Sequence, residues 1–260
     1  MTEAAIPPLA APPAKPELAL LARITPMPDA AAKAAFLASL TAPLKPTVVS
    51  FLNAHAFNLA ERDAEFRANL MAADALFRDG VGVSAMLRLL GADAGLNMNG
   101  TDLIPEILRA CRGRRVALAG TAEPWLSRAA TELREQGQVI VQAIDGFQGL
   151  AATVNHLCAC DADLFVLAMG MPRQEEVAAE LAARLDRPAV ILNGGAILDF
   201  IAGRFPRAPA IWRRLRLEWL YRLIHEPRRL WRRYILGGVV FAFHGARLRL
   251  LHGRLKPHAR

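Results

Sequence analysis

The chain has no uninterrupted run of about 20 apolar residues, the length a helix needs to cross a bilayer. Its longest C-terminal apolar stretch, Tyr234 to Phe243, is shorter and contains Gly237 and Gly238. A spanning helix is therefore not expected, although a tail lying on a membrane is. Cysteine is scarce: three residues, Cys111, Cys158 and Cys160, in a chain of 260. That excludes a disulfide scaffold, and a chain this long can bury a core without covalent help. His156, Cys158 and Cys160 lie close together, but no second ligand pair follows at zinc spacing, so they read as helix residues. A secretory start is also missing. Residues 1–22 are rich in Ala and Pro instead, which predicts a flexible leader on a cytosolic chain with reduced thiols.

Acidic residues are nearly absent from the C-terminal part. From Arg204 to Arg260 there are fifteen Lys or Arg against two acids, Glu218 and Glu226, a net charge of +13. Residues 1–203 carry −5, so the overall +8 belongs to the tail. Fourteen of the fifteen are Arg, the side chain whose planar fork fits phosphate oxygens.

What is present before the tail is an alternation of short apolar runs and longer helical patterns, the signature of βαβ units. Strands are predicted at Thr47–Leu52, Ala75–Phe77, Arg115–Ala119, Gln138–Ile144, Asp163–Met169 and Ala189–Leu192. Helices are predicted near Ala56–Ala72, Val83–Leu90, Asp102–Cys111, Glu123–Gln136, Leu150–Cys160 and Gln174–Leu185. The expected fold is α/β: a Rossmann-like, mostly parallel sheet with helices on both faces. The core spans 23–203, and an arginine-rich helical appendage spans 204–260.

Ligands of open α/β sheets bind beyond the carboxyl ends of the strands. Polar residues and glycines stand there in this chain: Asn53, Arg78-Asp79-Gly80, Gly120-Thr121, Asp145-Gly146, Gly170 to Gln174, and Asn193-Gly194-Gly195. Asp79, followed by Gly80-Val81-Gly82, places a carboxylate on a tight turn that opens a helix. It suits a general base beside a bound sugar, and it equally suits a helix N-cap. Gln174 suits a hydrogen bond to a sugar hydroxyl or leaving phosphate, or plain service at the start of its helix. Gly80 to Ala85 also fits the dinucleotide fingerprint, which makes an NAD(P)-dependent oxidoreductase the alternative reading. An acid preceding the glycines, and Asp102 starting a helix where a strand end is needed, count against it. Asp161 and Asp163 imitate the D-x-D metal pair of nucleotide-sugar transferases. They precede their strand, however, and so fall at the wrong end of the sheet. No metal or other cofactor is implied. The tail block, with Arg207, Arg214, Arg222 and Arg229 among Trp212, Trp219 and Trp231, reads as a diphosphate clamp, an attachment to anionic lipid, a nucleic-acid surface or a solvated face.

Six segments, in order, resemble the WecG/TagA/CpsF family of glycosyltransferases. They are FLNAHAFNLA (51–60), RDGVGV (78–83), NGTDLIP (99–105), GMPRQE (170–175), NGGAILDFIAGRFPRAP (193–209) and LEWLYRLIHEPRRLWRRY (217–234). The resemblance implies inverting, metal-independent transfer from a UDP-sugar donor to a polyprenyl-diphosphate-linked sugar. It makes Asp79 the catalytic base. Asn53, Gly80, Gly82, Asn99, Asp102, Gln174, Gly194 and Gly195 become substrate-binding residues, and Arg207, Arg214, Arg222 and Arg229 diphosphate-binding ones. Nucleic acid is not implied as a partner, and self-association is left open. Two positions depart from the family pattern: Phe51 stands where many members have Thr, and Asn97 where many have Arg. The chain looks closest to the subgroup that adds the second glucose of xanthan-type exopolysaccharides. UDP-glucose is then the favoured donor, with UDP-N-acetylmannosamine or its uronate as alternatives. The expected location is the cytoplasm, peripheral on the inner face of the cell membrane.

Overall fold

The computed structural model describes residues 16–252, beginning with α1 (Pro16–Ala22), α2 (Ala30–Ser39) and β1 (Pro46–Leu52). Then follow α3 (Ala54–Ala60), α4 (Ala64–Ala72), β2 (Ala75–Arg78), α5 (Gly80–Leu89), α6 (Gly100–Ala110) and β3 (Arg115–Gly120). The chain continues through α7 (Trp125–Glu135), β4 (Val139–Ile144), α8 (Leu150–Ala159), β5 (Leu164–Ala168), α9 (Arg173–Arg184), β6 (Ala189–Asn193) and α10 (Ile197–Ile201). The tail comprises α11 (Ala210–Arg214), α12 (Glu218–His225), α13 (Pro227–Trp231), a π-helical turn (Arg232–Leu236) and α14 (Gly237–His252).

The strands form one sheet in the order β2-β1-β6-β5-β3-β4 with every neighbouring pair parallel. Central strands are covered on both faces, which is why β5 and β6 are buried at every position and read as unbroken apolar runs. On one face α2, α6, α7 and α10 pack through Phe36, Ile104, Ile107, Leu126, Leu133 and Ile197. On the other, α1, α3, α4, α5 and α14 cover β1 and β2, while α8 and α9 cover β3, β5 and β6.

Besides adding α2 and α10, the structure differs from the sequence expectations in three places. First, the single helix expected over Ala56–Ala72 is two. The first ends at Ala60 with Glu61 as its C-cap, and Asp63 caps the second, its carboxylate accepting the Phe66 N–H at 2.9 Å. Second, the leader expected over 1–22 is helical from Pro16, and Leu18, Leu20 and Leu21 are buried against the core; residues 1–15 lie outside the described residues. The chain after α1 then runs along the outer edge of β2, where Thr25 N–H donates to the Leu76 carbonyl at 2.7 Å. Third, α13, the π turn and α14 form one continuous helix through Gly237 and Gly238, from Pro227 to Leu251. By length and composition these 25 residues could cross a membrane. One face of the helix is nevertheless packed on the core, since Phe241 and Leu248 belong to the cluster holding Phe57, Val83 and Met86. The tail is not a detached appendage.

Candidate functional site

β2, β1, β6 and β5 are consecutive in the sheet, and Asp79, Asn53, the Gly194–Gly195 turn and Gln174 follow their carboxyl ends. Asn53 follows β1 and caps α3, its Oδ1 accepting the Ala56 N–H at 3.0 Å. Its Nδ2 donates to Asp79 Oδ2 at 3.3 Å. The ladder carries on past the end of β2, with Asp79 N–H donating to the Leu52 carbonyl at 2.8 Å. Asp79 is thereby held beside Asn53 from both backbone and side chain.

Asp79 occupies the N-cap position of α5 with extended backbone angles, yet its carboxylate makes no capping hydrogen bond. Of the two readings the sequence allowed, capping does not occur. Part of the side chain remains accessible, but surrounding protein removes much of its hydration, and that burial pushes its pKa up. The Asn53 hydrogen bond opposes the rise, followed by the fields of Arg233, Arg222 and Arg78. A desolvated carboxylate with a raised pKa and one accessible side can remove a proton from a neighbouring hydroxyl.

Arg78, at the end of β2, is buried and ties down the loop between α5 and α6. Its guanidinium donates to the Ala94 carbonyl, to the Gly95 carbonyl at 2.8 Å and to Asn97 Oδ1 at 3.1 Å. Asn97 Oδ1 also accepts the Gly80 N–H at 3.3 Å. The Asn that departs from the family pattern therefore joins loop, strand end and helix start. The other departure, Phe51, is buried in the core beside Phe77, its ring against Gly100, where an added Cβ would come within 3.3 Å.

The glycines divide by role. Gly80 has φ +82°, which only glycine adopts freely, and faces open space. Gly82 is placed at a packing contact, where a Cβ would come within 3.3 Å of Ala54 and 3.4 Å of Phe241. Its expected place in the substrate cleft is thus taken by a close approach of α5 to α3 and α14. Gly194 is tightly turned against Ile197, whereas Gly195, at φ +60°, has nothing nearby. Gln174 is buried at the start of α9 and reaches this turn, its Oε1 accepting the Gly195 N–H at 2.9 Å. Its Nε2 donates to Glu175 Oε1 at 2.8 Å.

Asn99 caps α6, Oδ1 accepting the Asp102 N–H at 2.9 Å and Nδ2 donating to Asp102 Oδ2 at 2.7 Å. The other Asp102 oxygen pairs with Arg207, and Arg213 stands 4.0 Å away. Asp102 and Arg207, expected on substrate, are bonded to each other and join α6 to the segment before α11. Among the remaining predicted arginines, Arg222 lies 5.2 Å over the Phe200 ring. Arg229 pairs with Glu226 at 2.6 Å and lies 4.9 Å over Phe205. Arg214 is exposed at the end of α11. The cations whose fields bear on Asp79 are Arg233, Arg222 and Arg78. Arg233 is buried deeply enough to weaken its own hold on a proton, and Nε of both Arg222 and Arg233 is buried without a partner. The sequence offered Arg78 only as part of a strand-end motif and Asn97 only as a departure from the family pattern, and it gave Arg233 no role. For Arg233 the signal was its place in the last quoted segment, next to residues that were chosen.

At the opposite end of the sheet, Arg115 takes up both D-x-D carboxylates, pairing with Asp161 and, at 2.7 Å, with Asp163. Those acids fasten the start of β3 to the start of β5. His156 meets Gln148 at 2.9 Å on α8, and Cys160 Sγ is engaged by the Leu157 carbonyl at 3.1 Å, so both serve local structure.

The six-stranded parallel sheet, the Asn53–Asp79 pair and the arginines folded back toward it are spread over nearly the whole chain. Residues 20–255 match the model described as the glycosyl transferase WecG/TagA/CpsF family. A match of that extent displaces the oxidoreductase and nucleic-acid readings. The chain belongs to the WecG/TagA/CpsF family of glycosyltransferases, which implies a sugar-nucleotide donor, a lipid-linked acceptor and a part in cell-envelope polysaccharide synthesis.

Proposed function

We propose that this glycosyltransferase moves a hexose from a UDP-sugar to a polyprenyl-diphosphate-linked sugar, with inversion and without a metal. UDP-glucose is the favoured donor, and UDP-N-acetylmannosamine or its uronate are the alternatives. The observation carrying the reading is Asp79: a strand-end carboxylate, desolvated, released from capping and faced by arginines. In the reaction an acceptor hydroxyl oxygen attacks the anomeric carbon of the donor sugar. Its proton passes to Asp79 as the new C–O bond forms. The bond from the anomeric carbon to the β-phosphate oxygen breaks, and UDP leaves with that electron pair. Attack from the face opposite the leaving group inverts the centre.

Arg222 and Arg233 are the groups suited to the charge that develops on the diphosphate, since fixed cations in a desolvated site stabilise it where it appears. Gln174 and the Gly194–Gly195 turn, past the ends of β5 and β6, suit the donor, and Asn53 suits the acceptor sugar while holding Asp79. The metal-free reading is supported by the place of Asp161 and Asp163, committed to Arg115 at the far end of the sheet.

Attachment to the inner face of the membrane is supported by the outer side of the tail. Ile211, Leu215, Ile224, Leu236, Val239 and Phe243 are exposed there among arginines. A helix with one face fixed to the core lies along a membrane rather than through it. The test is incubation of purified protein with radiolabelled UDP-glucose and a short-chain prenyl-diphosphate sugar in excess EDTA. A product of inverted anomeric configuration is expected. Loss of transfer in EDTA with recovery in Mn²⁺ or Mg²⁺ refutes the metal-free step, and nicotinamide binding without UDP binding refutes the whole.

A further inference from the structure

A buried polar chain joins Gln174 and Gly195 to Ser50, Asn193 and Glu175, three residues to which no role has yet been given. Ser50 Oγ, on β1, accepts from Asn193 Nδ2, at the end of β6, at 2.7 Å. On the other side Gly195 N–H, Gln174 and Glu175 are joined in sequence. Between the two halves is a cavity of about 350 Å³ bounded by α4, α9 and the starts of β1 and β2. Glu175 and Asn193 both line it, and both are buried, 2% and 3% exposed. Glu175 Oε2 and Asn193 Oδ1 are without hydrogen-bond partners.

The donors and acceptors fix the orientation of this chain. Gly195 N–H can only donate, so the Gln174 group facing it must be the amide oxygen. The Gln174 amide nitrogen therefore faces Glu175, whose Oε1 must accept. We propose that Glu175 is a positioning residue: it holds the Gln174 amide and, through it, the Gly194–Gly195 turn that faces the donor. This rests on the reading of Gln174 and that turn as the donor side of a UDP-sugar site.

The same arrangement sets the protonation state. An ionised Glu175 would be a buried carboxylate with one hydrogen bond, and burial pushes its pKa to about 8. The charged groups around it are Glu176 on its own helix, which adds to the rise, and the Lys45–Asp74 pair lining the cavity, closed on itself at 2.6 Å. Protonated, Glu175 offers an O–H from Oε2, and the unpaired Asn193 Oδ1 is an acceptor in the same cavity. One water between them completes the chain from Ser50 to Gly195, and the cavity is polar and large enough to hold it. The neutral acid fits the network, and the anion breaks it.

Glu175→Gln mimics the neutral acid, keeping an acceptor for Gln174 and a donor for Asn193, and it cannot ionise. Thermal stability and UDP-glucose turnover are measured from pH 5 to pH 9.5 for wild type, Glu175→Gln and Glu175→Ala. A carboxyl whose folded pKa is raised withdraws stability as pH rises from its unfolded value toward the folded one. Wild-type midpoints should fall over that interval, and those of Glu175→Gln should fall less, by what Asp79 and Glu61, whose burial also raises their pKa, still withdraw. Wild-type turnover should decline above about pH 8, with Glu175→Gln keeping its neutral rate throughout and Glu175→Ala losing about tenfold or more at every pH. The proposal is overturned if Glu175→Gln shows the wild-type alkaline decline in both measurements, or if Glu175→Ala turns over normally. A protein that transfers from no UDP-sugar refutes the functional reading instead, and the stability curves still decide whether Glu175 is the titrating group.

Discussion

Two phenylalanines on α14, two residues apart, separate what this helix does for the core from what it does outside. Phe241 is 7% exposed and meets Phe57 of α3 edge-on, ring centroids 5.4 Å apart. Phe243 is 67% exposed. Truncating a buried Phe to Ala costs about 3–5 kcal/mol, the lost transfer energy plus the cavity left behind. Against a total stability of roughly 5–15 kcal/mol, that is a large fraction. Phe241→Ala should therefore shift the guanidinium unfolding midpoint sharply, followed by circular dichroism. Phe243→Ala should move stability by no more than about 0.5 kcal/mol. On vesicles rich in anionic lipid the order should reverse. Withdrawing an exposed ring that dips into the interface costs about 1–2 kcal/mol of the value for full burial, or roughly five- to thirtyfold in partition. Equal destabilisation by the two substitutions would mean that α14 is not docked in this register. Undiminished vesicle binding by Phe243→Ala would remove this face from the membrane contact. The same packing bears on a chain cut after Gly203. It would expose the α3 and α5 surfaces that Phe241 and Leu248 cover, and it should be less stable rather than an intact core.

Three further outcomes follow from the site. Asp79→Asn should lower turnover by about 10²–10⁴-fold with UDP affinity nearly unchanged, measured by radiolabel transfer and calorimetry; near-normal transfer by the folded variant removes Asp79 as the base. Because a base must be deprotonated and burial raises the pKa of Asp79, the acid limb of the rate profile should lie above the ordinary Asp range, and transfer should be lost as pH falls through it. Arg222→Ala should reduce turnover far more than Arg214→Ala, since Arg222 bears on Asp79 and Arg214 stands exposed on α11; the opposite ranking would move the diphosphate site toward α11.

The sheet was legible because five of its strands are largely buried and read as apolar runs. The edge strand β4 was legible as an apolar run as well, although its exposure in the sheet alternates. Asn53, Asp79 and Gln174 were legible because a polar residue just past an apolar strand has few structural reasons to be there. The break between α3 and α4 was missed although Asp63 carries a cap signal, because the apolar pattern continues across it. The helix at Pro16 was hidden by a composition that resembles a linker, and only its burial under α4 and α14 gives it a reason to form. Gly82 matched a ligand-binding pattern for a different reason, since close packing and close ligand approach demand the same missing Cβ. Arg233 acts at Asp79 from the far part of the chain, and no local pattern encodes a pairing across more than 150 residues.

A single short helix joins those distant parts. Asn53 begins α3 and holds the proposed base. Five residues later Asn58 Nδ2 donates to the Gly237 carbonyl at 2.7 Å, at the junction where the π turn bearing Arg233 passes into α14. The ring of Phe57, between them in sequence, packs on Phe241. The base and Arg233, one of the cations proposed for the leaving diphosphate, are therefore referred to one rigid element of seven residues, although more than 150 positions separate them in the chain. A loop could carry the same side chains, but it would not keep their spacing to the fraction of an ångström that charge stabilisation in a transition state requires. This gives a physical reason for a tail that is built into the core while its outer face carries the proposed membrane contact. Its inner face keeps Arg222 and Arg233 where their fields bear on Asp79.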